Sequence, residues 1–248
     1  MTAWAGSTED QGLEIARQAD RHDSGWVGLT ADMTMTLRNK QGEESIRVLR
    51  IKSLEVENDG NKNLVAFDQP KDVRGTALLT HSHTVEADDQ WLYLPALKRV
   101  KRIASQNKSG PFMGSEFAFE DFSSQEVEKY RYAYVTEEAC PTVADETCFV
   151  IERYPVDSYS GYTKQVVWLD QREYRIYKVD YYDRKNSLLK TLSNTGYMQY
   201  NEHYWRPTQS LMENHQTDKS TLLEWRNIRF TTQISQSEFT QSSLERAR

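Results

Sequence analysis

The amino-acid sequence predicts a mainly β (α+β) chain, an antiparallel barrel or sandwich behind a single N-terminal helix. Val27, Leu29, Ala31, Met33, Met35 and Leu37 alternate with Gly28, Thr30, Asp32, Thr34 and Thr36, which is the period of a half-buried strand with one polar face. Similar segments recur to the end of the chain with short polar connections, the spacing of hairpins. A sustained helical period occurs near the start, where Leu13, Ala16 and Ala19, helped by Ile15, make an apolar stripe.

Thr8-Glu9-Asp10-Gln11 resembles a capping box and opens a helix expected over residues 8–21. The first strand ends at the turn Asn39-Lys40-Gln41-Gly42. Its return, Ile46 to Val56, loses alternation between Val48 and Leu49, which predicts a bulge or strong coil. Asn58-Asp59-Gly60-Asn61 turns the chain again before a strand from Leu64 to Phe67. Further strands are expected near 75–85, 90–95, 98–104, 127–138, 147–154, 163–170, 173–183, 187–198, 203–213 and 220–231. Short helical turns fit near Lys71–Arg74, Asp121–Gln125 and Ser237–Leu244. No internal repeat or low-complexity segment divides the chain, so residues 8–248 read as one domain.

Hydrophobic residues fill only 38% of the 248 positions and mean hydropathy is −0.79, yet 14 Tyr, 8 Phe and 6 Trp can supply large buried areas. The net charge of −6 opposes a general nucleic-acid binder, which carries a basic footprint. No apolar run reaches the ~18 residues of a membrane-spanning helix. Ala3-Trp4-Ala5 has the small-x-small pattern of a signal-peptidase site without the apolar region before it. Residues 1–7 therefore read as the remnant of a trimmed secretory leader behind an added start. Cys140 and Cys148 have strand-like flanks, and a hairpin there brings them within the roughly 4.4–6.8 Å Cα separation of a disulfide. Such a bond suits an oxidising compartment such as the periplasm. A metal site would need further ligands, and none is near in sequence.

Residues 88–122 carry the most information. They join aromatic residues, a dense cationic cluster and a glycine-centred apolar loop, with no Gly-x-Ser-x-Gly frame, phosphate cradle or metal set. That combination suits holding an amphiphile better than breaking a bond. The run Trp91-Leu92-Tyr93-Leu94-Pro95-Ala96-Leu97-Lys98-Arg99-Val100-Lys101-Arg102-Ile103, followed by Phe112-Met113-Gly114-Ser115-Glu116-Phe117-Ala118-Phe119-Glu120-Asp121-Phe122, resembles the outer-membrane lipoprotein-sorting protein family, a branch of the LolA/LolB-like superfamily. Weaker matches follow the same order: Pro70 to Gly75, Trp168-Leu169-Asp170, Tyr182-Asp183, Trp205-Arg206-Pro207, Met212-Glu213-Asn214, Phe239-Thr240 and Leu244-Glu245-Arg246. The likeness runs from about Leu29 onward.

The resemblance implies a highly coiled antiparallel half-barrel of about 10–11 strands, its concave face partly covered by the N-terminal helix and by short helices and loops. It also implies a periplasmic, non-enzymatic carrier of lipid or lipoprotein acyl chains that needs no cofactor. An RND-type inner-membrane transporter as partner is implied by family context alone. Each CH₂ moved out of water is worth ~0.8 kcal/mol, so a C16 chain offers on the order of 10 kcal/mol before ordering costs.

Leu29, Met33 and Met35, with Trp91, Tyr93 and Leu94, are the candidate cavity wall; Trp91 and Tyr93 also suit an ordinary strand-end core. Phe112, Met113, Phe117 and Phe119 form either a plug in one end of the barrel or a mobile lid that meets lipid. Lys98, Arg99, Lys101 and Arg102 form either a solvated edge strand or a docking site for anionic headgroups, a membrane surface or an acidic partner. His81 and His83 share one strand face and read as surface residues rather than metal ligands. Two functional readings follow: an acyl-chain carrier, or an accessory module that docks on a transporter through residues 98–122 and carries no lipid.

Overall fold

The computed structural model describes residues 6–247, so the expected leader remnant at Ala3–Ala5 lies outside the described residues. Helix α1 spans Thr8–His22. Its capping box starts one residue earlier than expected: the Ser7 hydroxyl accepts from the Asp10 N–H, and the Asp10 carboxylate accepts from the Ser7 N–H. The strands are β1 (Gly28–Arg38), β2 (Glu44–Leu54), β3 (Lys62–Gln69), β4 (Ala77–His81), β5 (Asp89–Leu94), β6 (Arg99–Ile103), β7 (Tyr130–Ala139), β8 (Thr147–Pro155), β9 (Tyr162–Asp170), β10 (Ile176–Asp183), β11 (Leu188–Thr195), β12 (Met198–Tyr200), β13 (Tyr204–Arg206), β14 (Gln209–Asn214) and β15 (Lys219–Phe230). A short helix α2, Gln241–Leu244, lies near the C-terminus.

Thirteen strands form one antiparallel sheet in the order β6-β5-β4-β3-β2-β1-β15-β14-β11-β10-β9-β8-β7, and β12–β13 make a separate hairpin. The total exceeds the expected number partly because the stretches read as 187–198 and 203–213 each break in two. The first breaks at Gly196, whose φ of +65° suits glycine, and the second at Pro207, which has no N–H to give a ladder. The expected bulge is present as a register shift between Val48 and Leu49 in the β2–β3 pairing.

The sheet stays open but curls until its margins almost meet. Lys129, which leads into edge strand β7, forms a half-buried ion pair with Asp88, which leads into β5 at the other margin. One apolar cluster accordingly unites concave-face residues from both halves: Met33, Leu49 and Leu78 with Ile151, Val167 and Val179. Helix α1 adds the fully buried Ile15 and lies against the β7 backbone. A Cβ on Gly12 would sit 2.8 Å from the Ala133 carbonyl carbon and the Tyr134 nitrogen, so glycine is what allows that approach.

The convex face has a second, separate core. Leu54, Leu64, Ala66, Ala77, Leu79 and Tyr93 pack under Phe239 and Leu244 of the C-terminal segment. Plug and strap cover both faces of β3 and β4, so Leu64, Val65, Ala66 and Phe67 are all buried in succession, as are Ala77, Leu78 and Leu79. The Cys140–Cys148 disulfide joins the β7–β8 hairpin, with its Cα atoms 4.9 Å apart, and packs against Tyr177.

Candidate functional site

The loop between β6 and β7 folds back into the concavity and fills one half of it. Phe112 is fully buried and touches the rings of Phe67, Phe119 and Phe122, with centroids 5.7, 5.6 and 4.4 Å away. The apolar insertion is held by polar side chains that rise from the sheet. Gln90 Nε2 donates to the Phe119 carbonyl at 2.8 Å, and Thr221 Oγ1 accepts from the Glu116 N–H at 3.0 Å. Asn214 Nδ2 donates to Glu116 Oε2 at 2.6 Å. Lys190 Nζ reaches both the Glu116 carbonyl and Asp121 Oδ2 at 2.8 Å, and the Tyr162 hydroxyl donates to Asp121 Oδ1 at 2.8 Å. Glu120 accepts from the Ser160 hydroxyl and the Gly161 N–H. Burial, reinforced by the Asp121 charge, still pushes its carboxyl above the usual range. Of the two sequence alternatives for this loop, the structure shows the plug.

Most of the sequence-predicted wall lies in this plugged half. Met33 and Met35 are sealed in the same cluster as Phe112 and Phe117; Leu94, Met113 and Phe119 pack on it partly buried. Leu29 is buried in phase with Met33 along β1. Trp91 and Tyr93 are corrections. They point to the convex face, where Tyr93 packs with Phe239 and Leu244, and Trp91 packs beside them edge-on to His81. Period two identifies which residues share a face, but not which face is concave.

The cations do not form one patch. Along β6, Arg99 and Lys101 oppose Leu94 and Leu92 on the concave side, whereas Arg102 opposes Trp91 on the convex side and pairs with Asp89. Lys98, Arg99 and Lys101 make no ion pair among the described residues. The four straddle a free sheet edge. His81 and His83 also have separate roles: His81 Nε2 donates to the Phe239 carbonyl at 2.8 Å, and His83 Nδ1 meets Asp59 Oδ2 at 3.0 Å.

The other half of the concavity is open. A cleft of about 1110 Å³ lies between α1 and strands β7–β10, with Ala16 and Ala19 as its roof and Tyr132, Ile151, Val167 and Leu169 as its floor. It slightly exceeds the ~300–1,000 Å³ range of small-molecule sites. One end meets residues 124–128, which follow the plug; the other meets the β12–β13 hairpin through His203, Trp205 and Arg206. Helix α1 is tied across that far end. His22 stacks on His203 with ring centroids 5.1 Å apart, and Gln18 Oε1 accepts from the Tyr174 hydroxyl at 2.6 Å.

Carboxylates rim the cleft. Burial first, then Glu128 and Asp23, raises the Asp20 carboxyl above its usual range. Burial also raises Glu126, with Asp20 and Glu128 adding to it and the Ser124 hydroxyl and Lys129 opposing it. Two lining arginines are neutralised: Arg206 by Asp23 at 2.6 Å, and Arg175 by Asp170 and Glu146 at 2.8 and 2.9 Å. Arg153 is different. It is 8% exposed, donates from Nε to Gln165 Oε1 at 2.6 Å and lies 4.9 Å from the Tyr130 ring centroid, with no ion pair among the described residues.

None of the ten residues proposed from sequence as lipid contacts lines this cleft. Two signals for it were present. Ala16 and Ala19 are the small members of the α1 stripe, so their short side chains leave space between helix and sheet. Arg153 is a cation in the apolar phase of β8, two residues after Ile151.

An open, curled antiparallel sheet with a helix over one margin and a cleft inside defines the LolA-like class. A LolA superfamily protein from Nitrosomonas europaea shares this fold at 20% identity and a TM-score of 0.73, over 96% of this chain and 100% of that one. The chain also resembles, at 55% identity and a TM-score of 0.92, a Vibrio parahaemolyticus protein provisionally described as an outer membrane lipoprotein-sorting protein domain; the match covers 96% of this chain and 99% of that one. A DUF1329 family protein from Desulfovibrio piger is 28% identical with a TM-score of 0.89, over 96% and 100% of the two chains. A family model described only as an uncharacterized protein matches residues 59–246. No curated protein matches. The chain belongs to the outer-membrane lipoprotein-sorting protein family.

Proposed function

We propose that this protein is a non-enzymatic periplasmic carrier that shields a lipid or lipoprotein acyl chain in the cleft between α1 and strands β7–β10. The observation that carries this reading is the cleft of about 1110 Å³ whose lining includes the apolar Ile151, Val167 and Leu169 beneath the small side chains of Ala16 and Ala19. Burying an acyl chain there needs no chemistry, because ~0.8 kcal/mol per CH₂ suffices to hold it in water. The disulfide and the lipoprotein-sorting description of the Vibrio relative support the compartment. The surface left for transient contact with a membrane or an RND-type transporter is the β6 edge, because the plug takes residues 112–122 into the interior.

The test is native mass spectrometry of protein purified without detergent, together with uptake of a fluorescent acyl probe. Copurified lipid is expected, with a probe affinity that drops about tenfold or more when Ala16→Trp fills the roof of the cleft. Absence of both lipid and probe binding in the wild type overturns the carrier reading and leaves the docking module.

A further inference from the structure

We propose that the cleft takes an amphiphile with an acidic headgroup, a carboxylate or phosphate monoester, seated on Arg153 with the acyl chain lying along the floor toward Leu169. This rests on the carrier reading and adds ligand class and orientation to it.

Arg153 stands in the concave row of β8, in phase with Ile151, and lines the cleft. A guanidinium stays charged at any physiological pH, so it cannot relieve burial by losing its proton. A buried, uncompensated charge is costly. The other lining arginines meet that cost with carboxylates. So does Lys190, whose partner Asp121 is buried with it. Arg153 has only the neutral Gln165 amide and the face of Tyr130. Those two contacts fix the guanidinium plane through Nε and leave both Nη nitrogens without a hydrogen-bond partner among the described residues. An immobilised fork with two free donors matches the oxygen pair of a carboxylate or phosphate.

The floor fixes the orientation, and the other charges call for a cation at the headgroup. Asp20, Glu126 and Glu128 line the cleft, and the first two are carboxylates already destabilised by burial and mutual repulsion. An unpaired anionic headgroup would add to that repulsion, and Arg153 is the lining cation that can neutralise it. From the row of Arg153 and Gln165, the floor continues through Val167 to Leu169, a run of about 13 Å at strand rise. The polar group thus meets the only unpaired lining arginine among the described residues, and the chain meets the apolar floor.

The experiment compares one twelve-carbon chain with four heads in displacement of the acyl probe: dodecanol, laurate, dodecyl phosphate and dodecyltrimethylammonium. Inorganic phosphate and acetate are run alongside as headgroups without a chain. In the wild type, laurate and dodecyl phosphate are expected to bind about tenfold or more tighter than dodecanol, and the cation weakest. In Arg153→Gln, that anion advantage should fall to about twofold or less with dodecanol unchanged, while Arg153→Lys keeps part of it. A purely structural Arg153 would move all four together. Equal wild-type affinity for laurate and dodecanol, or an anion advantage that survives Arg153→Gln, overturns the headgroup seat and leaves the carrier intact. Failure of every chain to bind overturns both. Inorganic phosphate that binds as tightly as dodecyl phosphate and depends on Arg153 makes the site one for a free anion, which also overturns the proposal. If Arg153→Gln does not fold, the wild-type series and Arg153→Lys decide the outcome.

Discussion

The concave face of this sheet has two halves with opposite fates. Over β1–β6 and the adjoining β15, β14 and β11 the chain's own loop descends, Phe112 fills the centre, and Arg47, Gln90, Thr221, Asn214 and Lys190 bond its backbone or carboxylates. Over β7–β10 helix α1 arches above, the 55–61 turn and residues 124–128 line the sides with it, and a cleft remains beneath. The convex faces differ in the same direction. Behind the plugged half lies the apolar strap of Phe239 and Leu244, whereas behind the open half lie polar pairs such as Lys164–Glu152 at 2.6 Å. The plugged half therefore has three layers and behaves as core. In a curled sheet, ligand space is what the chain's own segments leave uncovered, and apolar composition alone does not locate it.

The largest effects should come from the plug. Phe112→Ala removes a fully buried ring and should cost about 3–5 kcal/mol, read from the urea midpoint. Lys190→Met should cost a similar ~3–5 kcal/mol, because Asp121 would stay buried without its cation. A loss below ~1 kcal/mol for Phe112→Ala would mean the loop is a loosely held lid, and the contrast between halves would collapse.

A charge placed in each half sharpens the contrast. Met35 is fully buried among plugged-half residues, so Met35→Glu should cost several kcal/mol of stability, whatever it does to ligand. Ala16 borders the open space, so Ala16→Glu should leave the unfolding midpoint nearly unchanged while weakening the acyl probe about tenfold. If Met35→Glu is stable and loses the probe while Ala16→Glu keeps it, the ligand lies under the plug.

The cationic edge should give a smaller effect. Lys98, Arg99 and Lys101 are free of ion pairs among the described residues, and each cation near an anionic surface is worth ~1 kcal/mol. Replacing these three and Arg102 with Gln should reduce cosedimentation with anionic vesicles at low salt and flatten its salt dependence, with acyl-probe affinity unchanged. Equal binding and an equal salt slope for the variant would reduce the cluster to a solvated edge.

Much of the fold could be read from the sequence, for reasons that particular residues make plain. The β1 alternation from Leu29 to Leu37 and the slipped phase at Val48–Leu49 are local backbone signals, and both appear where expected. The paired cysteines, eight apart across a hairpin, needed only local geometry. The candidate site was less legible because it depends on which distant segment covers which face. Trp91 and Tyr93 were assigned to the cavity because nothing in their own neighbourhood announces that Phe239 and Leu244 will lie on them. Met33 and Met35 lie on the concave face, but the plug that seals them comes from a segment far along the chain. Arg153 carries no motif, and its meaning depends on the missing carboxylate, which only the folded arrangement of β7–β9 discloses.

The smallest expected effect tests the strap behind the plugged half. His81 bonds the Phe239 carbonyl and is held below its ordinary value of 6.5. Burial is the main cause, with Lys62 and His83 adding to it, while the Phe239 carbonyl and Asp89 pull the other way. A histidine with a depressed folded value binds fewer protons folded than unfolded. Its contribution is therefore fully present above the unfolded value and is lost as pH falls through it. The stability advantage of wild type over His81→Gln should be steady at pH 7–8 and shrink toward pH 5. Amide exchange in residues 236–247 should accelerate over the same interval, while amides of the β7–β9 floor keep their protection. An advantage that stays constant from pH 8 to 5, or that grows in acid, would show that His81 is not what couples the strap to pH, and would leave the two halves of the sheet alike in this respect.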